Sequence, residues 1–345
     1  MIREIKLAGK YLDQPLLLSK FKKAVPPLFI GGSALYTAKK VYEAPEDKKK
    51  HTAINTGAVL TATVASALAA PKIASKIIGK TYEKYCAKDI IKNNTKIVDE
   101  FLSKQKVSEK TENVLQKAKS KILSFKDIKF LDKELTKTKE GTKVYKEILP
   151  EPDNITSKDI KNEIGRLSII GFIPVAGGIA GGLAGEQMTD KKITKEHLGN
   201  RIKEGAYQYL ANIFLCNIGA GIALAGLEKA NVHSKSARAL GMIGGIVTTG
   251  IIGGSTIANF IGKKVINPIF DGKTKEERKK ESLNSERTPE VLDICLHSDD
   301  IATIAVMSGL KWIEPTLPIL YGISGYRAGI GYRNGKKYNE LNTNA

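Results

Sequence analysis

The chain has 345 residues, 42% of them apolar, and a formal net charge of +19 from 55 Lys and Arg against 36 Asp and Glu. That balance favours an anionic partner, and aromatic residues at 6% are too few for a base-stacking surface, so phospholipid head groups come ahead of nucleic acid. Three cysteines, Cys86, Cys216 and Cys295, are spaced too far apart to suggest a metal site and cannot all pair, so no disulfide framework is implied.

Charged and apolar residues are segregated into blocks. Residues 24–38, 52–71, 167–185, 205–227 and 239–262 carry no Asp, Glu, Lys or Arg. Four of these runs reach the length that crosses a hydrocarbon core of about 30 Å. The expected fold class is therefore all-α: a polytopic helical membrane protein with Gly/Ala-rich packed spans and an extramembrane helical insertion. The expected divisions are 1–71, a basic segment and first hairpin; 72–166, the charged insertion; 167–262, Gly-rich helices; 263–300, a charged connection; and 301–345, a last apolar region with a basic tail.

The N-terminal 23 residues are basic, and Leu16 to Leu18 are too short an apolar core for a secretory signal. The first run, 24–38, is short and enters through Pro26 and Pro27, which disfavour regular helix. It reads equally as a span or as an interfacial segment. A polar tract from Glu43 to His51 leads into the second run, where Ala58, Ala62, Ser66 and Ala70 form a row of small residues.

Lys72, Lys76, Lys80, Lys84, Lys88, Lys92 and Lys96 then recur every four residues. Opposite them run Ala74, Ile78, Tyr82, Cys86, Ile90, Val98 and Leu102, with Asn94 the one polar member. This predicts a long amphipathic helix whose lysines either face anionic lipid or are solvated. Within the same stretch, 74–81 meets the loosest phosphate-loop pattern, but it continues an apolar helix and does not follow a buried strand. Breaks are expected at 103–111, around Gly141 and at Pro150.

In the third run Gly177, Gly181 and Gly185 repeat every four residues. The fifth has Gly250, Gly254, Ala258 and Gly262, with a second row of Gly241, Gly245, Thr249 and Gly253. In lipid such rows let helix backbones approach closely, so they mark packing faces. They resemble the glycine zippers of several unrelated membrane proteins and name no family. A faint echo between 77–80 and 260–263 suggests a duplicated hairpin.

Asp293, Cys295, His297, Asp299 and Asp300 gather before the last apolar region. Helix capping explains them more simply than a metal or proton site. His51, His197 and His233 sit singly in polar connections and read as solvated loop residues. Within 301–326, Lys311 and Glu314 are spaced to pair on one helix face, and an ionisable residue inside a span is a functional hypothesis by default. The alternative is two short pieces, 301–310 and 315–326, with Trp312 at the membrane interface and both charges in water.

Lys and Arg counts on the two sides nearly tie, and the basic N-terminus favours a cytoplasmic start. No nucleophile and base stand out as an enzyme site, and no cofactor is implied. The reading is an integral, multi-pass membrane scaffold or adaptor that shows basic helices to anionic lipid, a protein partner or another copy of itself. The rival is a transporter or pore with Lys311 and Glu314 on its path.

Overall fold

The computed structural model describes residues 2–79, 86–150, 157–189, 192–232, 235–270, 311 and 313–331. Among these every element is helical, and the chain divides into two units. Unit 1 takes residues 1–27, 83–154 and 309–315; unit 2 takes 28–82, 155–308 and 316–345.

Unit 1 contains α1 (Ile2–Leu12), the start of α2 (Pro15–Glu43), α4 (Ala87–Lys104), α5 (Glu109–Ser120), α6 (Phe125–Leu135) and α7 (Lys139–Ile148). Its helices start where a side chain satisfies a free backbone donor. Ser108 accepts from the Thr111 amide, Thr138 accepts from the Gly141 amide, and Ser124 with Asp127 forms a reciprocal capping box. The core is Leu7, Val98, Leu115, Leu123, Ile128, Leu131, Tyr145 and Leu149, all buried.

Two buried polar side chains tie this unit together. Gln14 donates to the carbonyls of Tyr11 and Leu123 and accepts from the Leu123 amide. Asn94, the polar member of the apolar stripe, donates to the Ala118 carbonyl at 3.0 Å. The expected break around Gly141 lies a few residues earlier: α6 ends at Leu135, and Gly141 sits in the first turn of α7, so close to the Leu135 carbonyl that a Cβ would collide with it.

The amphipathic helix expected across the lysine ladder is not continuous. α3 (Lys49–Ile78) ends where Gly79 turns left-handed at φ +73° and donates to the Ser75 carbonyl, a conformation that favours glycine. Lys72 and Lys76 are exposed on α3 in unit 2, whereas Lys88, Lys92 and Lys96 are exposed on α4 in unit 1. Lys80 and Lys84 lie outside the described residues. The suggested hairpin repeat also fails, because Gly262 is right-handed at φ −54° inside a continuing helix.

Four helical segments are long and apolar enough to cross a membrane: Glu46–Ile78, Lys161–Met188, His197–Lys229 and Leu240–Phe270. Each has 28 to 33 residues, a rise of at least about 42 Å. The second is most of α8 (Ser157–Met188). The third joins α9 (Lys195–Tyr209) and α10 (Leu215–Lys229) through a π turn at Leu210–Phe214. The fourth joins α11 (Lys235–Gly245), α12 (Ser255–Ile261) and α13 (Asn267–Phe270) through π turns at Ile246–Gly254 and Gly262–Ile266.

Two expectations about apolar segments change. α2 runs unbroken through Pro26 and Pro27, which fall where unit 1 gives way to unit 2. The prolines remove two backbone donors without stopping the helix. In the last apolar region, a 3₁₀ turn at Glu314–Thr316 precedes α14 (Leu317–Ile330), a helix of 14 residues, about 21 Å long. Residues 301–310 and 312 lie outside the described residues.

The glycine rows set the packing of unit 2. α3 and α8 are antiparallel: a methyl on Gly177 would strike Ser66 and the Ala62 carbonyl, one on Gly181 would lie 2.7 Å from the Ala58 carbonyl, and one on Gly185 would meet Asn55. One residue round the helix, Gly178 and Gly182 meet the Gly325 and Gly329 carbonyls of α14, which runs parallel to α8. The fourth segment uses Gly250 against Cys216 and Gly254 against the Ala211 backbone; Gly262 faces only the Lys203 side chain. Gly219 and Gly245 cross closely, the carbonyl of each facing the place a Cβ would take on the other. Outside, Leu35, Phe172, Ile222, Leu240, Ile252 and Phe260 are exposed, a strongly apolar surface.

Candidate functional site

A line of polar side chains descends through unit 2 along α9 and its π turn. It begins at one end of the bundle, where Glu186 of α8 lies 3.0 Å from Arg201 and 3.6 Å from the His197 ring. Arg201 also donates to the Gly329 carbonyl at 2.8 Å, tying α9 to the last turn of α14. This approach needs Gly182, since a Cβ there would strike both the Gly329 oxygen and the Arg201 guanidinium.

One turn further in, Glu204 faces Arg327 of α14 with 3.9 Å between Oε1 and Nε, and both residues are 0% exposed. Their depth follows from a neighbour: a methyl on Gly205 would touch Val175 and Ile179, near the middle of Lys161–Met188. Burying a carboxylate and a guanidinium costs several kcal/mol per ion before pairing offsets it. Such groups inside a span are a functional-site hypothesis by default.

The line continues as a directed ladder of hydrogen bonds. Gln208 Nε2 donates to Glu204 Oε1 at 2.8 Å, and Asn212 Nδ2 donates to Gln208 Oε1 at 2.9 Å. Glu204, Gln208 and Asn212 share a face because they recur at helical spacing. Asn212 lies within the π turn, next to Ile213, whose side chain fills the space over Gly171. Ser168, Asn217, Ser324 and Thr63 are further buried polar residues of unit 2. Tyr207 and Ser255 are 3.2 Å apart through their hydroxyls and connect α9 to α12.

Charge-free runs as a criterion hid this line. The fourth run begins at residue 205, immediately after Glu204, and the last apolar region, 301–326, ends immediately before Arg327. The available signal was the Glu204, Gln208, Asn212 spacing, a polar row of period four leading into an apolar helix. His197, read as a solvated loop residue, instead stands in the first turn of α9 beside Glu186.

The residues singled out from sequence are placed elsewhere. Gly177, Gly181, Gly185, Gly250 and Gly254 lie at close helix crossings. Lys311 and Glu314 precede α14: the Lys311 amide donates to Asp13 Oδ1 at 2.9 Å, and the Glu314 amide donates to the Lys311 carbonyl at 3.2 Å. Both belong to unit 1, whereas α14 belongs to unit 2. His51 stands in the first turn of α3, its ring bonded to Asn55 at 2.9 Å. The cluster from Asp293 to Asp300, with Cys295, lies outside the described residues, as do His233 and Trp312.

Among the described residues no three His, Cys, Asp or Glu side chains are grouped to hold a metal ion. Cys216 is buried, and its thiol donates to the Ala211 carbonyl at 3.3 Å. Comparison with family models, curated proteins and solved structures gives no match to this chain.

Proposed function

We propose that the chain is an integral membrane scaffold, in which unit 2 is the anchor and unit 1 a basic headpiece that engages anionic lipid head groups. The observation that carries this reading is the composition of unit 1 outside its closed core. Residues 86–150 contain sixteen lysines, ten carboxylates and no arginine. Several carboxylates are engaged locally, Asp99 with Lys119, Glu100 with Lys104 and Glu134 with Lys137, which leaves lysine in excess on the surface. Lysine without arginine suits diffuse attraction to a charged surface better than bidentate recognition of one ligand.

The anchoring of the headpiece supports the same reading. Ile78, at the end of α3, lies beside Gly165, near the start of α8, so both connections to residues 86–150 leave from one end of the bundle. Lys72, Lys76 and Lys161 are exposed on the helices at that end.

The test uses full-length protein in neutral-lipid nanodiscs, incubated with anionic or neutral vesicles. Capture of anionic vesicles should weaken on the order of 100-fold when Lys88, Lys92 and Lys96 are all changed to Gln, at about 1 kcal/mol per lysine. Unchanged capture would leave these lysines as a solvated face. A second reading, passage of a solute or ion through the bundle, is favoured by the Glu204 line rather than by Lys311 and Glu314.

A further inference from the structure

We propose that Ser120 is a phosphorylation site, and that phosphate there releases the headpiece from anionic lipid. The release rests on the lipid-binding reading above, whereas the site stands on the surface of unit 1 alone. A phosphoserine carries a charge of about −1.5 to −2 at neutral pH, and added negative charge of this kind detaches polybasic surfaces from anionic lipid.

Local structure singles this residue out. Residues 86–150 contain four serines and five threonines. Ser103 donates to the Glu100 carbonyl, and Ser108, Ser124 and Thr138 cap α5, α6 and α7. Thr136 and Thr142 donate to carbonyls one turn back. Thr95 is half-buried and Thr111 is buried. Ser120 is exposed, and no described residue bonds its hydroxyl. It is the last residue of α5, and at Lys121 the chain turns extended, with φ −121° and ψ 150°, so the hydroxyl stands where the helix gives way to accessible loop.

The flanking charge fits an enzyme partner. Lys117, Lys119 and Lys121 surround Ser120 in sequence, the pattern that a protein kinase with an acidic substrate cleft selects. The end of α5 also lies beside the lysines of α4: Asn94, set between Lys92 and Lys96, donates to the Ala118 carbonyl, and Lys119 pairs with Asp99. A phosphate on Ser120 therefore adds its charge to the part of unit 1 that holds Lys92 and Lys96.

The step is a phosphoryl transfer from a nucleoside triphosphate. The bond from Ser120 Oγ to the γ-phosphorus forms as the bond from that phosphorus to the departing diphosphate breaks, and the hydroxyl proton passes to the kinase's base. Unit 1 also holds the basic N-terminal residues of the chain. In the orientation that this segment favours, Ser120 faces the cytoplasm, where nucleoside triphosphate is supplied.

The test treats full-length protein in neutral-lipid nanodiscs with ATP, Mg²⁺ and a serine kinase that selects basic flanks. Mass spectrometry should find phosphate on Ser120 ahead of Ser103 and Ser124, and capture of anionic vesicles should fall about 10- to 30-fold. Ser120→Ala should capture vesicles as the wild type does and keep that capture under the same treatment. Absence of phosphate on Ser120 overturns the site, and phosphate on Ser120 with unchanged capture overturns the release. An unmodified wild type that captures neutral and anionic vesicles alike overturns the lipid reading instead, a failure that the mass measurement keeps apart from failure of the site.

Discussion

Glycine has two different uses along this chain, and single methyl groups separate them. At Gly178 a Cβ would collide with the Gly325 backbone, whereas at Gly226 nothing lies within 4 Å. Gly178→Ala should therefore force α8 and α14 apart and destabilise unit 2 by about 1 to 3 kcal/mol. Gly226→Ala should be neutral or stabilising by up to about 1 kcal/mol, since alanine favours helix. Thermal midpoints of the two variants in one detergent make the comparison. Equal losses would mean that backbone contact at Gly178 does not hold the helices. The four-residue recurrence of Gly177, Gly181 and Gly185 made a packing face legible in the sequence. The second row, one residue away, could not be assigned a partner, because Gly325 and Gly329 lie about 150 residues further along the chain.

Among the elements, α4 shows how local pairing and surface charge combine. The side-chain hydrogen bond from Lys104, with that residue's charge, holds the Glu100 carboxyl below the usual glutamate range; Lys96 and Lys143 act in the same direction. Because the folded carboxyl is the more acidic, its stabilising effect is present above the ordinary glutamate range and is lost as pH falls through the lowered folded value. Lys104→Met should return Glu100 toward ordinary titration, read from side-chain carboxyl carbon shifts across an acid titration. No movement would assign the effect to the other lysines. The helical spacing of Val114, Leu115 and Ala118 was legible, and so was the run of residues on α4 facing them. The end of α3 was not: Gly79 is one glycine inside a uniform Lys and Ile pattern, and only its left-handed turn separates two helices that composition joins. The passage of α2 through two prolines was equally hidden, since proline propensity is local and the two prolines remove backbone donors without stopping the helix.

For the whole molecule, the four long apolar segments and the exposed apolar exterior of unit 2 lead to one direct expectation. Full-length protein should remain in the membrane pellet after an alkaline carbonate wash. Release into the supernatant would make these segments buried helices of a soluble or peripheral assembly and would remove both the anchor and any path through it. Segment number and placement were legible because charge-free runs of this length are rare outside membranes. The charged line along α9 was illegible for the same reason: a rule that ends a span at its first charge discards the charges that lie within it.

The groove on α8 that Gly178 and Gly182 line is filled by a helix made much later. About 140 residues separate Gly182 from Gly325, so at roughly 5 to 20 residues per second the groove stands open for on the order of 10 s during synthesis. Over that interval Glu204 also waits for Arg327, which arrives on the same late helix. A chain interrupted before residue 317 keeps all four long apolar segments yet carries an open cleft in which Glu204 lacks its Arg327 partner. Those two features distinguish an unfinished copy from a finished one.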